Sequence, residues 1–350
     1  MRLGLGRNMN NRCKKLMLNA LACLPCCVVF ANGPVKLIID SDMLTDYDDA
    51  GALAVAHALA DAKECEILAT LSCTRSNGSV AAMEIINAYY GRPGINVGSP
   101  KTGGVDWQRC GHRKFIDLQR KYPGKFKYPL SDAAPDAAKV YRGILSAQPD
   151  KSVTICSIGF FTNLQLLLKT KPDEYSQLDG RTLVSQKVKV WYAMACFYPQ
   201  GHEYNSDGDA PSTRFAIANW PTPIVFCDFQ YGRHLYCGRR LVESTSCEGP
   251  VKDVFAADLT PRDMINPQTW DQRDGHPSWD EATVLFAVRG WEPYCNLERG
   301  IYEITDDNGS CVWRYDPNRD GGRVYGKLPK ENVANVIDEL MCRRPLNFAK

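Results

Sequence analysis

Short apolar runs alternate with helix-period stretches along most of this chain. Val35–Ile39 and Ile67–Ser72 are strand-length and mostly apolar. Between them, Asp49–Ala60 is rich in alanine and reads as a helix. Ala81–Tyr90 reads as a second helix, stopped by Gly91-Arg92-Pro93. Ile95–Val97 is a short strand, Ala134–Ala147 a helix, Val153–Ser157 a strand and Asn163–Lys169 a helix. Val188–Ala195 then predicts a strand, Ser212–Asn219 a helix and Ile224–Cys227 a strand. Three stretches depart from the rhythm. Trp107–Tyr128 is polar, basic and aromatic and reads as a surface excursion. Residues 240–275 are weakly patterned. Tyr294–Tyr325 reads as a β-rich excursion before an amphipathic last helix, Glu331–Met341.

Strands that alternate with helices predict an α/β fold: a mostly parallel central sheet with helices on both faces, a Rossmann-like open sheet. In such sheets ligands collect at the carboxyl ends of the strands. The first strand ends in an unusual place. The run Leu37–Leu53 reads LIIDSDMLTDYDDAGAL and carries Asp40, Asp42, Asp46, Asp48 and Asp49. So many carboxylates at the end of a buried strand repel one another. Either they point apart into water or a cation holds them, and hard cations such as Ca²⁺ or Mg²⁺ prefer clustered carboxylate and carbonyl oxygens. The tightness of the run favours the cation.

Composition narrows the class. The chain has 350 residues, 44% hydrophobic and 23% charged, with net charge +2. That is ordinary globular composition, with no basic excess to suggest a nucleic-acid partner. Near the start, Arg2, Arg7, Arg12, Lys14 and Lys15 precede the apolar run Leu16–Phe30, and Val29-Phe30-Ala31 suits a cleavage site. Residues 1–31 therefore read as a signal peptide of a secreted or periplasmic protein, with 32–350 as one domain. A short anchor or a tail is the alternative. Beyond that run no apolar stretch is long enough to span a bilayer. Of fifteen cysteines, four lie in the leader (Cys13, Cys23, Cys26 and Cys27). Export would allow pairing among Cys227, Cys237, Cys247, Cys295 and Cys311, whereas Cys156 reads as a buried apolar residue.

The acidic run, with four later blocks in order, resembles the inosine-uridine-preferring nucleoside hydrolase family. IIDSDMLTDYDDAGAL is similar to that family's DxDxxxDD signature, and closer to its variant DTDxGxDxDDA form. TLSCTRSNGS, VTICSIGFFTNLQLLL, HEYNSDGDAP and HPSWDEATVLFAV resemble the blocks that follow, so the resemblance spans most of the chain after the leader. It implies a Ca²⁺ ion held by Asp42, Asp49, Asp280 and the backbone carbonyl of Ile158. Asp42 would also take a proton from the attacking water. Asp48 would hold a ribose hydroxyl, with Glu203, Asn205 and Asn77 around the sugar. The implied substrate is a nucleoside or related riboside, and a homo-oligomer is compatible with it.

Departures from the family pattern carry weight. The acidic run is two residues longer than the basic form. Aligned from Asp48-Asp49-Ala50, both later carboxylates keep their places and Asp46 becomes an extra group. Leu44 and Thr45 replace the variant's glycine and its neighbour. Trp279 stands where family members often carry a histidine that protonates the leaving base. An indole cannot do that; it can stack on a base or fill the core. His276, His202, Tyr204 and Tyr198 are the substitutes at hand. Plainer readings stand beside these: Asp40 as a structural acceptor, Asp207 and Asp209 in a turn, Asn163 as a helix cap, His202 facing solvent and His276 as a loop residue. Three functions follow. The first is Ca²⁺-dependent cleavage of an N-glycosidic bond. The second is a non-catalytic sugar- or nucleoside-binding protein of the same fold. The third is a haloacid dehalogenase-type phosphatase, for which LIIDSDML lacks the needed Thr or Val at Leu44.

Overall fold

The computed structural model describes residues 33–43, 46–106, 118–259 and 275–346. The leader, Leu44, Thr45, and residues 107–117 of the basic excursion lie outside the described residues. From Pro34 onward the described residues form one compact unit.

The first half is built from β1 (Val35–Ser41), α1 (Asp48–Asp61), β2 (Cys65–Ser72), α2 (Ser79–Tyr89) and β3 (Asn96–Gly98). It continues through α3 (Ala137–Ala147), β4 (Val153–Ile158), α4 (Thr162–Lys169), α5 (Gly180–Lys187) and β5 (Val188–Ala193). The second half runs through β6 (Gln200–Gly201), α6 (Tyr204–Gly208), α7 (Ala210–Asn219), β7 (Ile224–Phe226), α8 (Phe229–Gly232) and β8 (Tyr236–Gly238). It ends with α9 (Arg239–Glu243), α10 (Pro250–Asp258), β9 (Gly275–Pro277), α11 (Trp279–Arg289), β10 (Cys295–Ile304), β11 (Cys311–Tyr315), β12 (Gly321–Gly326) and α12 (Lys330–Met341).

Ten strands join in the order β3-β2-β1-β4-β5-β7-β12-β10-β11-β6. From β3 to β12 every neighbour is parallel, as the alternating pattern requires. The excursion read as β-rich supplies β10, β11 and β12, and β12 joins the main sheet beside β7. Parallel strands covered on both faces need apolar side chains on both. β1 meets that demand by alternation: Leu37 and Ile39 enter one core, Ile38 the other. The first core lies under α1, α11 and α12, the second under α3, α4, α5 and α7. α1 is buried on nearly every side, which its small alanines permit.

Two expectations are corrected here. Asn163 does not cap a helix. Its amide donates to Asp40 Oδ1 (3.0 Å) and the Ser72 carbonyl (2.8 Å), tying β1 to β2 from α4. The anticipated disulfides among Cys227, Cys237, Cys247, Cys295 and Cys311 do not form either. All ten described cysteines are free thiols, and nine are buried, filling apolar space.

Candidate functional site

The chain leaves β1 toward β2 on one side, while β4 lies on its other side. The strand order therefore reverses at β1, the position in an open α/β sheet where ligands collect beyond the carboxyl ends of the strands. Asp42 and Gly159 face each other there, because Ser41 and Ile158 are register partners. The fit is tight. A Cβ on Gly159 would lie 2.4 Å from the Asp42 nitrogen and 2.9 Å from its Oδ1. We expect Gly159→Ala to push Asp42 aside and to cost about 1–3 kcal/mol of stability through overpacking, read as a lowered melting temperature.

The other carboxylates arrive from α1 and α11. Asp48 and Asp49 occupy the first turn of α1, where the helix dipole favours negative charge. Ser41 Oγ donates to Asp49 Oδ1 (2.6 Å), and the Met43 amide donates to Ser41 Oγ (3.0 Å). Asp280 opens α11, and its backbone amide donates to Asp48 Oδ2 (3.3 Å) across 232 residues of sequence. Asp42, Asp48, Asp49 and Asp280 are each at most 5% exposed. Burial, and then the neighbouring carboxylates, push Asp48, Asp49 and Asp280 well above the usual range. Asp49 acts most on Asp280, followed by Asp46 and Asp42. Asp46, half-buried, forms with Asp48 and Asp49 a set of carboxylate oxygens within 4.8 Å of one another.

The donor set suits a divalent cation. Asp49 Oδ2 is buried and accepts no hydrogen bond, while its other oxygen is taken by Ser41. A buried oxygen left this way costs stability unless something positive meets it. The charges acting most on Asp48, Asp49 and Asp280 are all carboxylates, an oxygen-donor set of the kind that hard divalent cations prefer. Glu281, fully buried beside them, fits because Gly51 has no side chain: a Cβ there would meet Glu281 Oε1 at 2.2 Å.

The remaining candidates are distributed as follows. Glu203 Oε2 accepts from the amides of Cys196 and Ser206 and from the Ser206 hydroxyl, each at 3.0 Å. Oε1 accepts the Asn205 amide at 2.9 Å, so Glu203 caps α6. Burial raises its carboxyl to about 7 against those hydrogen bonds. Asn205 donates to the Met194 carbonyl at 3.1 Å, and both side chains are buried. Asn77 is exposed in the turn before α2. Trp279 is half-buried and stacks on Phe229 with centroids 5.2 Å apart. Its Nε1 donates to the Phe229 carbonyl (2.9 Å), and it fills the space left by Gly232. His202 is mostly exposed and hydrogen-bonds Asp207 and Ser310. Asp209 caps α7 through the Ser212 amide. His276 packs against Tyr47 (4.1 Å) and Trp279 (5.9 Å). Asp40 is an interior acceptor for Tyr141 (2.7 Å) and Asn163, and burial raises it to about 7.

Sequence reading missed Ser41, Gly159, Gly51, Glu281 and the strut role of Asn163. Only the SIG and DAGA contexts hinted at the glycines.

No protein-family model matches the sequence, and no curated protein matches it in sequence. Solved structures do match in fold. A plant nucleoside hydrolase superposes with TM-score 0.62 at 18% identity, over 88% of this chain and 99% of that one. An inosine-uridine preferring nucleoside hydrolase from Bacillus anthracis gives 0.62 at 15% identity, over 88% and 99%. The type III effector XopQ, solved with adenosine diphosphate ribose, gives 0.64 at 13% identity, over 89% and 95%. The fold is that of the nucleoside hydrolases, shared with effector proteins.

Proposed function

We propose that this chain is a Ca²⁺-dependent hydrolase of the N-glycosidic bond in a nucleoside or related riboside, working after export. One observation carries the reading. Asp280, from the far end of the chain, is brought to the Asp48–Asp49 turn and buried there beyond the end of β1. Asp42, Asp49, Asp280 and the Ile158 carbonyl would hold the ion. Bound there, Ca²⁺ supplies the charge that the carboxylates lack and a water of lowered pKa. Asp42 takes the proton of the attacking water. Asp48 holds a ribose hydroxyl, and Glu203, Asn205 and Asn77 orient the sugar. The surrounding carboxylates favour the positive charge that builds on the ribosyl ring as the bond breaks. The fold gives the phosphatase alternative no support.

Trp279 sets the leaving-group preference. Its N–H is committed to a backbone carbonyl, and an indole is no acid. General acid help is worth about 10²–10⁴-fold. We therefore expect p-nitrophenyl riboside, which departs without a proton, to outpace inosine by at least ~10²-fold in kcat. Equal rates would show that another side chain supplies the proton. The same commitment of Trp279 favours the second reading, a riboside-binding protein without turnover. Incubation with nucleosides, p-nitrophenyl riboside and p-nitrophenyl phosphate, with and without chelator, separates the readings. Riboside cleavage lost on chelation supports the hydrolase. Binding without cleavage supports the second reading, and phosphate release contradicts both.

A further inference from the structure

Two buried thiols, Cys196 and Cys311, lie beside the Glu203 loop. Cys196 follows β5 and adopts φ +74°, a left-handed conformation that few residues other than glycine take. Its amide holds Glu203 Oε2 (3.0 Å) and also donates to Ser206 Oγ (2.9 Å). Cys311 opens β11, where it is the register partner of Gly201 in β6. The Phe197 amide donates to Cys311 Sγ at 3.0 Å, and the Cys311 thiol in turn donates to the carbonyls of Gly201 (3.3 Å) and Phe197 (3.5 Å). The Phe197 nitrogen is bonded to the carbonyl carbon of Cys196. The Cys311 sulfur therefore lies within one peptide unit of the Cys196 Cα, inside the reach of a Cβ–Sγ arm. Cys311 is the better nucleophile of the two. The neighbouring Cys196 side chain and the Phe197 amide hold it below the usual thiol range, whereas burial lifts Cys196 well above it.

We propose that Cys196 and Cys311 form a redox-active dithiol that closes to a disulfide and pins the Glu203–Asn205 loop to the β10–β11 hairpin. A low-molecular-weight disulfide such as oxidised glutathione is the oxidant. The Cys311 thiolate attacks one of its sulfurs and expels one thiolate. Cys196 then attacks the mixed disulfide at the Cys311 sulfur and expels the second. Two protein thiols lose two electrons and two protons, and one disulfide becomes two thiols. The bond joins segments 115 residues apart, so it constrains the unfolded chain strongly. In the folded state it fixes the backbone of the residue whose amide holds Glu203.

The test uses the full chain, purified reduced and then exposed in its native state to oxidised glutathione. Free thiols are alkylated after denaturation, and the protein is digested with trypsin. Cleavage after Lys189, Arg214, Arg299 and Arg314 leaves Cys196 and Cys311 each alone in its peptide. The expected product is those two peptides joined and two hydrogens lighter. It should bring a Tm rise on the order of 5 °C, reversed by dithiothreitol. Cys311→Ser should abolish both, and the wild-type peptide map stands without the variant if that protein does not fold. Both thiols remaining alkylatable would overturn the proposal. So would joining only after denaturation, or joining only of Cys247 to Cys342, whose backbone carbonyl accepts from the Cys247 thiol. The outcome is independent of whether ribosides are cleaved.

Discussion

On the proposed function, Asp280→Asn is expected to abolish cation-dependent riboside cleavage, with kcat/KM down at least ~10³-fold, the scale of several kcal/mol of lost transition-state stabilisation. The substitution keeps the shape of the side chain and removes one charge. Its backbone amide still donates to Asp48, so α11 keeps its seat. What goes is the carboxylate that Asp49, Asp46 and Asp42 oppose. The same change has the opposite sign in chelator. There it relieves repulsion among buried like charges, so the variant melts higher than the metal-free wild type. A plain loss of fold would lower both activity and melting temperature. Steady-state kinetics with Ca²⁺ and a melt in chelator therefore tell a ligand from a structural residue.

The second large effect is on stability against pH. Burial raises Asp40 and Glu203 to about 7, and it raises Asp48, Asp49, Asp280 and Glu281 well above ordinary carboxylates. A raised folded value means that the native state binds the proton more tightly than the unfolded chain. The resulting stability is fully present below the unfolded values, about 4, and is lost as pH rises through the folded ones, near 7 for Asp40 and Glu203. Surface carboxylates such as Asp132 and Asp173 are lowered by Arg75 and Arg142, and they act only at the acid end. In chelator, the melting temperature should therefore fall from pH 5 to pH 8. Saturating Ca²⁺, at 100 to 1,000 times its Kd, adds roughly 2.7–4.1 kcal/mol and should raise Tm by roughly 5–10 °C. The gain should be largest at the alkaline end, where the carboxylates are free to bind. A flat melting profile, or one that calcium leaves unchanged, would remove the cation from the account.

Much of this was legible because the sequence rules involved are local. β1 announces itself by its apolar run, the acidic turn by its density, and the parallel sheet by alternation. The excursion Tyr294–Tyr325 was readable as β structure, but its union with β7 was not, since strand pairing across a hundred residues leaves no local trace. The same holds for the supports of the site. Ser41 looks like any serine between two aspartates until its hydroxyl is seen on Asp49. Gly159 and Gly51 matter through what approaches them, Asp42 and Glu281, which only the folded chain brings near. Asn163 sits where a helix begins, and propensity favours a cap. Two buried acceptors, Asp40 and the Ser72 carbonyl, claimed its amide instead. Trp279 departed from the family pattern in sequence. Only its stacking on Phe229 showed that the indole is packed and its N–H spent.

Long-wavelength anomalous diffraction from crystals grown in calcium addresses the centre of the account. We predict one strong peak beyond the carboxyl ends of β1 and β4, ligated by Asp42, Asp49, Asp280 and the Ile158 carbonyl. No peak there, or an ion bound through Asp46 alone with Asp280 turned away, would contradict it.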